Sequence, residues 1–279
     1  MNIKTIELTF ELTSPLSHFG DEPAGTMQTL RRQKFRINNK YEDMPVYSGN
    51  ALRGILRTLV MTDYFERIGI GVKSVSQNLY YTFFNGGSLK SGGVENLALK
   101  TSIKQNCPAL VLLGSAYRSM MTEGKMKVGI LKPVCAELNE YNRHKTDESI
   151  YSGMLSGTFY TRKDRLKSSP ENAKDVTTDN KEVMQMKYES EVFSAGTKLE
   201  SEIKIEFADE LEYSCACHML NLLKESGHLG GKSSVGHGSF TLTASEDLDS
   251  MSKLYVDYVS EHKEDMLNWI AEMENTLNA

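Results

Sequence analysis

The chain is predicted to be an α+β protein: an antiparallel sheet with helices on one face. Three observations carry this. Two strictly alternating stretches, 3–13 near the start and 198–207 near the end, read as long half-buried strands. Each is followed later in the chain by a helix with an apolar stripe, at 50–60 and at 209–226. A glycine-rich segment, Gly230 to Gly238, then leads straight into a further alternating run, Phe240-Thr241-Leu242-Thr243. Taken in sequence the core elements are strand, helix, strand, then, after a large insertion, strand, helix, glycine loop and strand. That order fits a ferredoxin-like (RRM-like) βαββαβ sheet.

At 279 residues, with 39% hydrophobic and 25% charged residues, the chain can bury a sizeable core and has the composition of an ordinary soluble protein. Its formal net charge of −5 argues against wholesale nucleic-acid binding, which would need a local basic face on an acidic body. No stretch approaches the roughly 18 apolar residues of a membrane span, and Met1 to Leu8 alternates where a signal peptide would be apolar. The four scattered cysteines suit a reducing, cytoplasmic setting. Cys215, Cys217 and His218 invite a zinc reading, but they fall in a helical pattern and lack a second CxxC pair, so they read as core residues. No cofactor or metal is expected.

In chain order, Ile3, Ile6, Leu8, Phe10 and Leu12 mark the first strand, ended by Ser14-Pro15. After a polar loop comes a basic cluster, Arg31, Arg32, Lys34 and Arg36, interleaved with Leu30, Phe35 and Ile37: a short strand or turn with its charges outward. Leu52, Ile55, Leu56, Leu59 and Val60 give the first helix its buried stripe. Ser48 or Asn50 is placed to cap it, where free N–H groups favour an anion. Arg53 and Arg57 lie one turn apart off that stripe, and equally suit a solvent-exposed pair.

Residues 63–108, with Asn85-Gly86-Gly87 and Ser91-Gly92-Gly93, read as a helical insertion. A buried run from Ala109 leads to a strand at 125–130. Residues 140–190 are polar and then alternate again, the pattern of an extended hairpin projecting from the body. Asp209 is positioned to cap the second core helix and Gly227 to stop it. Residues 246–279 read as one charged helix holding the single tryptophan, Trp269. No repeat of about 20 to 50 residues is present.

The glycine loop holds four glycines, two serines and a lysine in nine residues. Successive N–H groups beside a lysine make an anion-binding concavity, although a tight turn into a strand has equal standing. The Walker pattern fails because its first glycine would fall at Ser226 and a strand follows where a helix should.

Together, Val46-Tyr47-Ser48-Gly49-Asn50-Ala51-Leu52-Arg53-Gly54-Ile55-Leu56-Arg57, the Leu112-Leu113-Gly114 segment and the Gly230 to Phe240 loop resemble the RAMP superfamily of CRISPR-associated proteins. Within it the chain is similar to the backbone (Cas seven) family and inclines to a type IV-like member. The resemblance implies a single domain whose palm core is 1–62, 109–135 and 192–245, with the insertion at 63–108, a thumb hairpin at about 140–190 and a C-terminal helix at 246–279. It also implies a non-catalytic subunit that polymerises along crRNA with copies of itself, in a cytoplasmic complex with other effector subunits, and presents the guide to target DNA or RNA. Carried onto this chain, Ser48, Gly49, Asn50, Arg53, Gly230, Gly231, Lys232, Ser233, Ser234 and His237 would meet guide phosphates, with Arg31, Arg32, Lys34 and Arg36 as further contacts. Phe159, Tyr160, Met184, Met186 and Tyr188 would be thumb wedges.

Type III relatives cut target RNA with an aspartate that would fall near Gln33, where this chain has no carboxylate. Asp21 and Glu22 lie about a dozen residues earlier. Two other readings stand beside this one. In the first, a RAMP endoribonuclease uses His18 or His237 as general acid or base. In the second, a nucleotide-binding module holds a small phosphate on the glycine loop.

Overall fold

A computed structural model describes residues 3–20, 27–89, 96–117, 120–162 and 186–278. The elements in order are β1 (Ile3–Leu12), β2 (Met27–Gln28), β3 (Arg32–Ile37), β4 (Lys40–Pro45), α1 (Gly49–Ile68), α2 (Gln77–Phe84), α3 (Leu97–Asn106) and α4 (Pro108–Leu113). There follow β5 (Ser115–Tyr117), β6 (Met120–Thr122), β7 (Met126–Val128), β8 (Lys132–Pro133), β9 (Leu155–Arg162), β10 (Met186–Phe193) and β11 (Lys198–Glu206). The last are α5 (Glu210–Ser226), β12 (Phe240–Ala244), α6 (Leu248–Met251), α7 (Lys253–Glu261) and α8 (Lys263–Asn278).

The main sheet has the order β12-β1-β11-β7, with β8 also on β11, and its pairs are antiparallel. With β1, α1, β7, β11, α5 and β12 as the six core elements, this is the ferredoxin-like order. Alternation fixes the register. Ile6, Leu8, Phe10 and Leu12 are all buried, and Phe10 lies between Leu199 on β11 and Leu242 on β12. These side chains join Leu52, Leu56 and Val60 of α1 and Cys215, Met219 and Leu223 of α5 in one core. Both helices begin where their sequences predict, and the second also ends there. The Ser48 hydroxyl accepts from the Ala51 N–H, Asp209 and Glu212 form a reciprocal capping box, and Gly69 and Gly227 close the helices in the left-handed conformation.

The opposite sheet face is covered by residues 134–154, which the sequence assigned partly to the hairpin. Arg143 donates to the carbonyls of Ser201 and Leu8, and the N–H groups of Arg143 and His144 both donate to the buried Glu200 carboxylate. A small second core of Phe35, Ile37, Met44 and Val46 with Cys135, Leu138, Ile150 and Met154 joins this segment to the β3–β4 hairpin. The thumb-like hairpin is therefore confined to β9 and β10. Its tip, Met184 included, lies outside the described residues.

Two other boundaries move. The first helix continues to Ile68, so the insertion starts later than 63. The C-terminal segment is three helices, and the first break has a clear cause. The Ser214 hydroxyl, from α5, donates to the Met251 carbonyl and accepts from the Tyr255 N–H, replacing the helical bond between those two groups.

The acid in this protein is also segregated. Residues 246–279 hold nine carboxylates and two lysines, a net −7, which leaves +2 for residues 1–245 of a chain whose total is −5. These helices pack on α1, α2 and α5, on the helical side of the molecule.

Candidate nucleic-acid interface

Four segments converge at one end of the sheet: residues 14–20, the start of α1, the base of the β9–β10 hairpin, and the glycine loop. Gly230, Lys232, Gly236 and Gly238 all have positive φ (71°, 62°, 85° and 88°). At two of them glycine is demanded by contact as well. A Cβ on Gly230 would lie 2.3 Å from the Ser17 carbonyl oxygen, and one on Gly238 would lie 1.9 Å from that of Leu229. The close approach that glycine permits here is to the protein's own backbone.

The loop's amides are largely committed in the same way. Gly230 N–H donates to the Tyr47 hydroxyl (3.1 Å), Gly231 to Ser17 O (3.1 Å), Gly238 to Pro15 O (2.8 Å) and Ser239 to Ser14 Oγ (2.9 Å). Val235, Gly236 and His237 donate to carbonyls within the loop. What the loop offers outward is its exposed crest, Ser233, Ser234 and Gly231, with Lys232 beside it.

Two side chains lock the loop to the hairpin. His237 is buried, with Nδ1 bonded to Ser17 Oγ at 2.8 Å and Nε2 bonded to the Tyr160 hydroxyl of β9. Lys232 Nζ donates to Ser190 Oγ of β10 at 2.7 Å and lies 4.3 Å from the Tyr160 ring and 4.8 Å from the Phe19 ring. Two aromatic faces hold this ammonium in place, and burial lowers its pKa from the usual lysine value. Removing only the Tyr160 hydroxyl leaves buried His237 with one unpaired nitrogen. Tyr160→Phe is therefore expected to destabilise the protein by about 1–2 kcal/mol in urea unfolding. A loss below a few tenths would show that the bond does not hold the hairpin.

His18 is similarly enclosed. Its Nε2 accepts the Ser48 N–H at 3.1 Å, which places the ring proton on Nδ1, and its ring lies 4.2 Å from that of Tyr47. Burial, and then the charge of Arg31, lower its pKa to about 4. The folded pKa lies below the unfolded 6.5, so stability is full above pH 6.5 and is lost as the pH falls through about 4. Allowing for solvent screening of a partly exposed ring, about 1–2 kcal/mol should disappear over that window. His237, lowered by burial and then by Lys232, acts in the same direction. His18→Gln should flatten the acid limb of a stability-against-pH curve, and an unchanged limb would refute the assignment.

The other candidates from the sequence divide. Ser48 is the α1 cap. Gly49 is buried against β7, where a Cβ would come 2.4 Å from Val128 O, so of this trio only Asn50 is exposed. Arg53, expected at a phosphate, instead donates to the Leu113 carbonyl. Arg57 is buried one turn further on, donating to Phe83 O (3.1 Å), Leu113 O (2.8 Å) and Gly114 O (2.7 Å). Burial lowers its pKa to about 10. Arg57 is buried and Arg53 half-buried, and together they pin the turn after α4. His218 bonds Asp63 at 2.7 Å beside core Cys215 and Cys217.

Arg31 stands at the interface, with its N–H on His18 O, and Arg32 pairs with Glu191 of β10 at 2.6 Å. Lys34 lies further out along β3. On the hairpin, Phe159 and Tyr188 are 71% and 52% exposed, and Tyr160 faces Tyr188 across the strands. The side chain of Met186 lies outside the description. Sequence reasoning missed Ser17, Phe19, Tyr47, Ser190 and Glu191. The available signal was slight: Ser17, Phe19 and Tyr47 in the segments flanking the first strand and helix, and Ser190 and Glu191 on β10.

This sheet order, with a glycine loop after the second core helix and a hairpin inserted before β11, defines a class of protein. Residues 9–241 match the RAMP superfamily, and the chain belongs to that superfamily. Among solved structures it is similar to a chain described as "Type IV-B CRISPR Complex", with a TM-score of 0.62 and 20% identity over 88% of this chain and 91% of that one. The two share a fold. No curated protein matches the sequence.

Proposed function

We propose that the protein is a non-catalytic crRNA-binding backbone subunit of a multisubunit CRISPR effector complex of type IV-like character. It would polymerise along the guide and present it for pairing with target nucleic acid. One observation carries the reading: in a RAMP-superfamily chain, Lys232 and the exposed Ser233 and Ser234 sit at the root of a hairpin bearing exposed Phe159 and Tyr188. A fixed cation and hydroxyls suit sequence-independent phosphate contact, and exposed rings suit stacking on bases. The segregation of acid into 246–279 relieves the objection from net charge.

The endoribonuclease alternative is weakened by the bonding of its two histidines. Both ring nitrogens of His237 are engaged within the protein, and His18 is neutral at physiological pH with Nε2 turned to Ser48. In the described structure Gln33 lies on β3. Asp21 and Glu22 lie outside the described residues.

The test is to titrate the full chain with guide-length single-stranded RNA at several salt concentrations, while sizing the product and following RNA integrity. Steeply salt-dependent binding into multi-copy assemblies with intact RNA is expected. Lys232→Ala should weaken it for every sequence tried and lower the salt slope by about 0.7, one phosphate contact on a single strand. One-to-one binding with cleaved RNA would overturn the proposal in favour of a nuclease.

A further inference from the structure

We infer a second nucleic-acid contact surface on the outward face of the β3–β4 hairpin, built from Lys34, Arg36 and Tyr41 and suited to a single strand. The inference rests on the RNA-binding reading above and extends it beyond the glycine loop.

The hairpin register places Arg36 opposite Tyr41 and Lys34 opposite Asp43, so these residues share one face with Arg32. The other face is turned inward, with Phe35, Ile37 and Met44 in the second core. On the outward face, cations recur at every second residue: Arg32, Lys34, Arg36. In a strand that repeat is about 7 Å, of the order of one nucleotide step along an extended single strand. At the far end stands Tyr41, 72% exposed, a large aromatic that the fold leaves in solvent beside a guanidinium. Residues 31–43 carry five cations and two carboxylates, a local +3 in a chain of net −5.

The row is also rigid and correctly placed. Asn38 and Asn39 both adopt positive φ (47° and 65°), which matches a tight primed hairpin turn. Arg36 Nη2 donates to Asn39 Oδ1 at 3.1 Å, which steadies the guanidinium. From beneath, the Tyr141 hydroxyl donates to Arg36 O (2.9 Å), and its ring packs edge-on against Phe35 at 5.1 Å. The single carboxylate on the outward face, Asp43, pairs with Lys34 at 3.1 Å. Both side chains are more than half exposed (68% and 55%), so a phosphate can displace that pair at little cost. At its root the row meets the first interface, through Arg31 on His18 and Arg32 on Glu191 of β10. A strand held at Lys232 that continues past Arg31 meets Lys34 and Arg36 and can stack a base on Tyr41.

The experiment uses the full chain and single-stranded RNA carrying 4-thiouridine, irradiated and mapped by mass spectrometry, with parallel salt titrations of variants. We expect a cross-link on Tyr41. Tyr41→Ala should lose about fivefold or more in affinity, and Tyr41→Phe should restore it, because stacking needs the ring and not the hydroxyl. The double variant Lys34→Ala/Arg36→Ala should lower the salt slope by about 1.4, at about 0.7 per contact. These side chains are exposed, so melting temperatures should not move. If the hairpin variants keep wild-type affinity and slope while Lys232→Ala weakens binding, the hairpin is not a site and the main reading stands. If the unaltered chain binds no RNA, both fall.

Discussion

Gly238→Ala is expected to cost at least about 3 kcal/mol and to disassemble the interface along with its stability. Two effects add. A non-glycine residue at φ of 88° is strained by about 1–3 kcal/mol, and the new Cβ would lie 1.9 Å from Leu229 O, a distance that only backbone movement relieves. That movement breaks the Gly238 N–H bond to Pro15 O, one of the links that fasten the loop to the segment after β1, and the Leu229 N–H bond to Gly238 O that closes the loop on itself. Gly236→Ala supplies the control. Its φ is nearly the same, 85°, but nothing stands within 4 Å of its Cβ, so only the strain, about 1–2 kcal/mol, should appear. Urea unfolding of the pair separates collision from strain. Equal losses would show that the loop is not packed as described.

Arg57→Met should be comparably damaging, at about 3–4 kcal/mol. The guanidinium satisfies the carbonyls of Phe83, Leu113 and Gly114 in a buried setting, and methionine leaves those oxygens to one neighbour or none. Arg57→Lys should recover little, since one ammonium cannot reproduce a planar fork that reaches three acceptors. Arg53→Ala, which removes a partly exposed donor to Leu113 O, should cost nearer 1 kcal/mol. Because both arginines meet the same carbonyl, the double variant should deviate from additivity. RNA affinity gives the sharper discrimination: Arg53→Ala should bind RNA almost as the unaltered chain does, measured well below its melting temperature. A large loss of affinity without loss of stability would return Arg53 to the interface.

Much of the architecture was legible because it follows from local periodicity. Alternation in 3–13 and 198–207 fixes which faces of β1 and β11 are buried, and the stripe from Leu52 to Val60 fixes how α1 lies on them. Asp209 and Gly227 bound their helix by bonds made within a few residues, so their roles could be read directly, and the same locality narrowed the cap of α1 to Ser48 or Asn50. The break in the C-terminal segment could not. It depends on Ser214, which lies more than thirty residues from the helix it interrupts, and nothing in 246–279 announces it.

The candidate site divides along the same line. The sequence by itself determined that a glycine- and serine-rich loop with one lysine follows the second core helix, that a basic cluster interleaved with apolar residues precedes the first, and that acid is concentrated at the C-terminal end. Only the tertiary structure decided how each group is used. A glycine's freedom is a property of one residue, but whether that freedom serves a ligand or a neighbouring carbonyl depends on what lies opposite, and here Ser17 and Leu229 do. An arginine's charge is likewise local, while its partner is not: Arg53 and Arg57 meet residues 113–114, and Lys232 meets Phe19, Tyr160 and Ser190. Helix and strand periods act over a few residues and are written in order along the chain. Hydrogen-bond partners and close contacts are set by distances in space, and those exist only once β1, α1, the hairpin and the loop have come together.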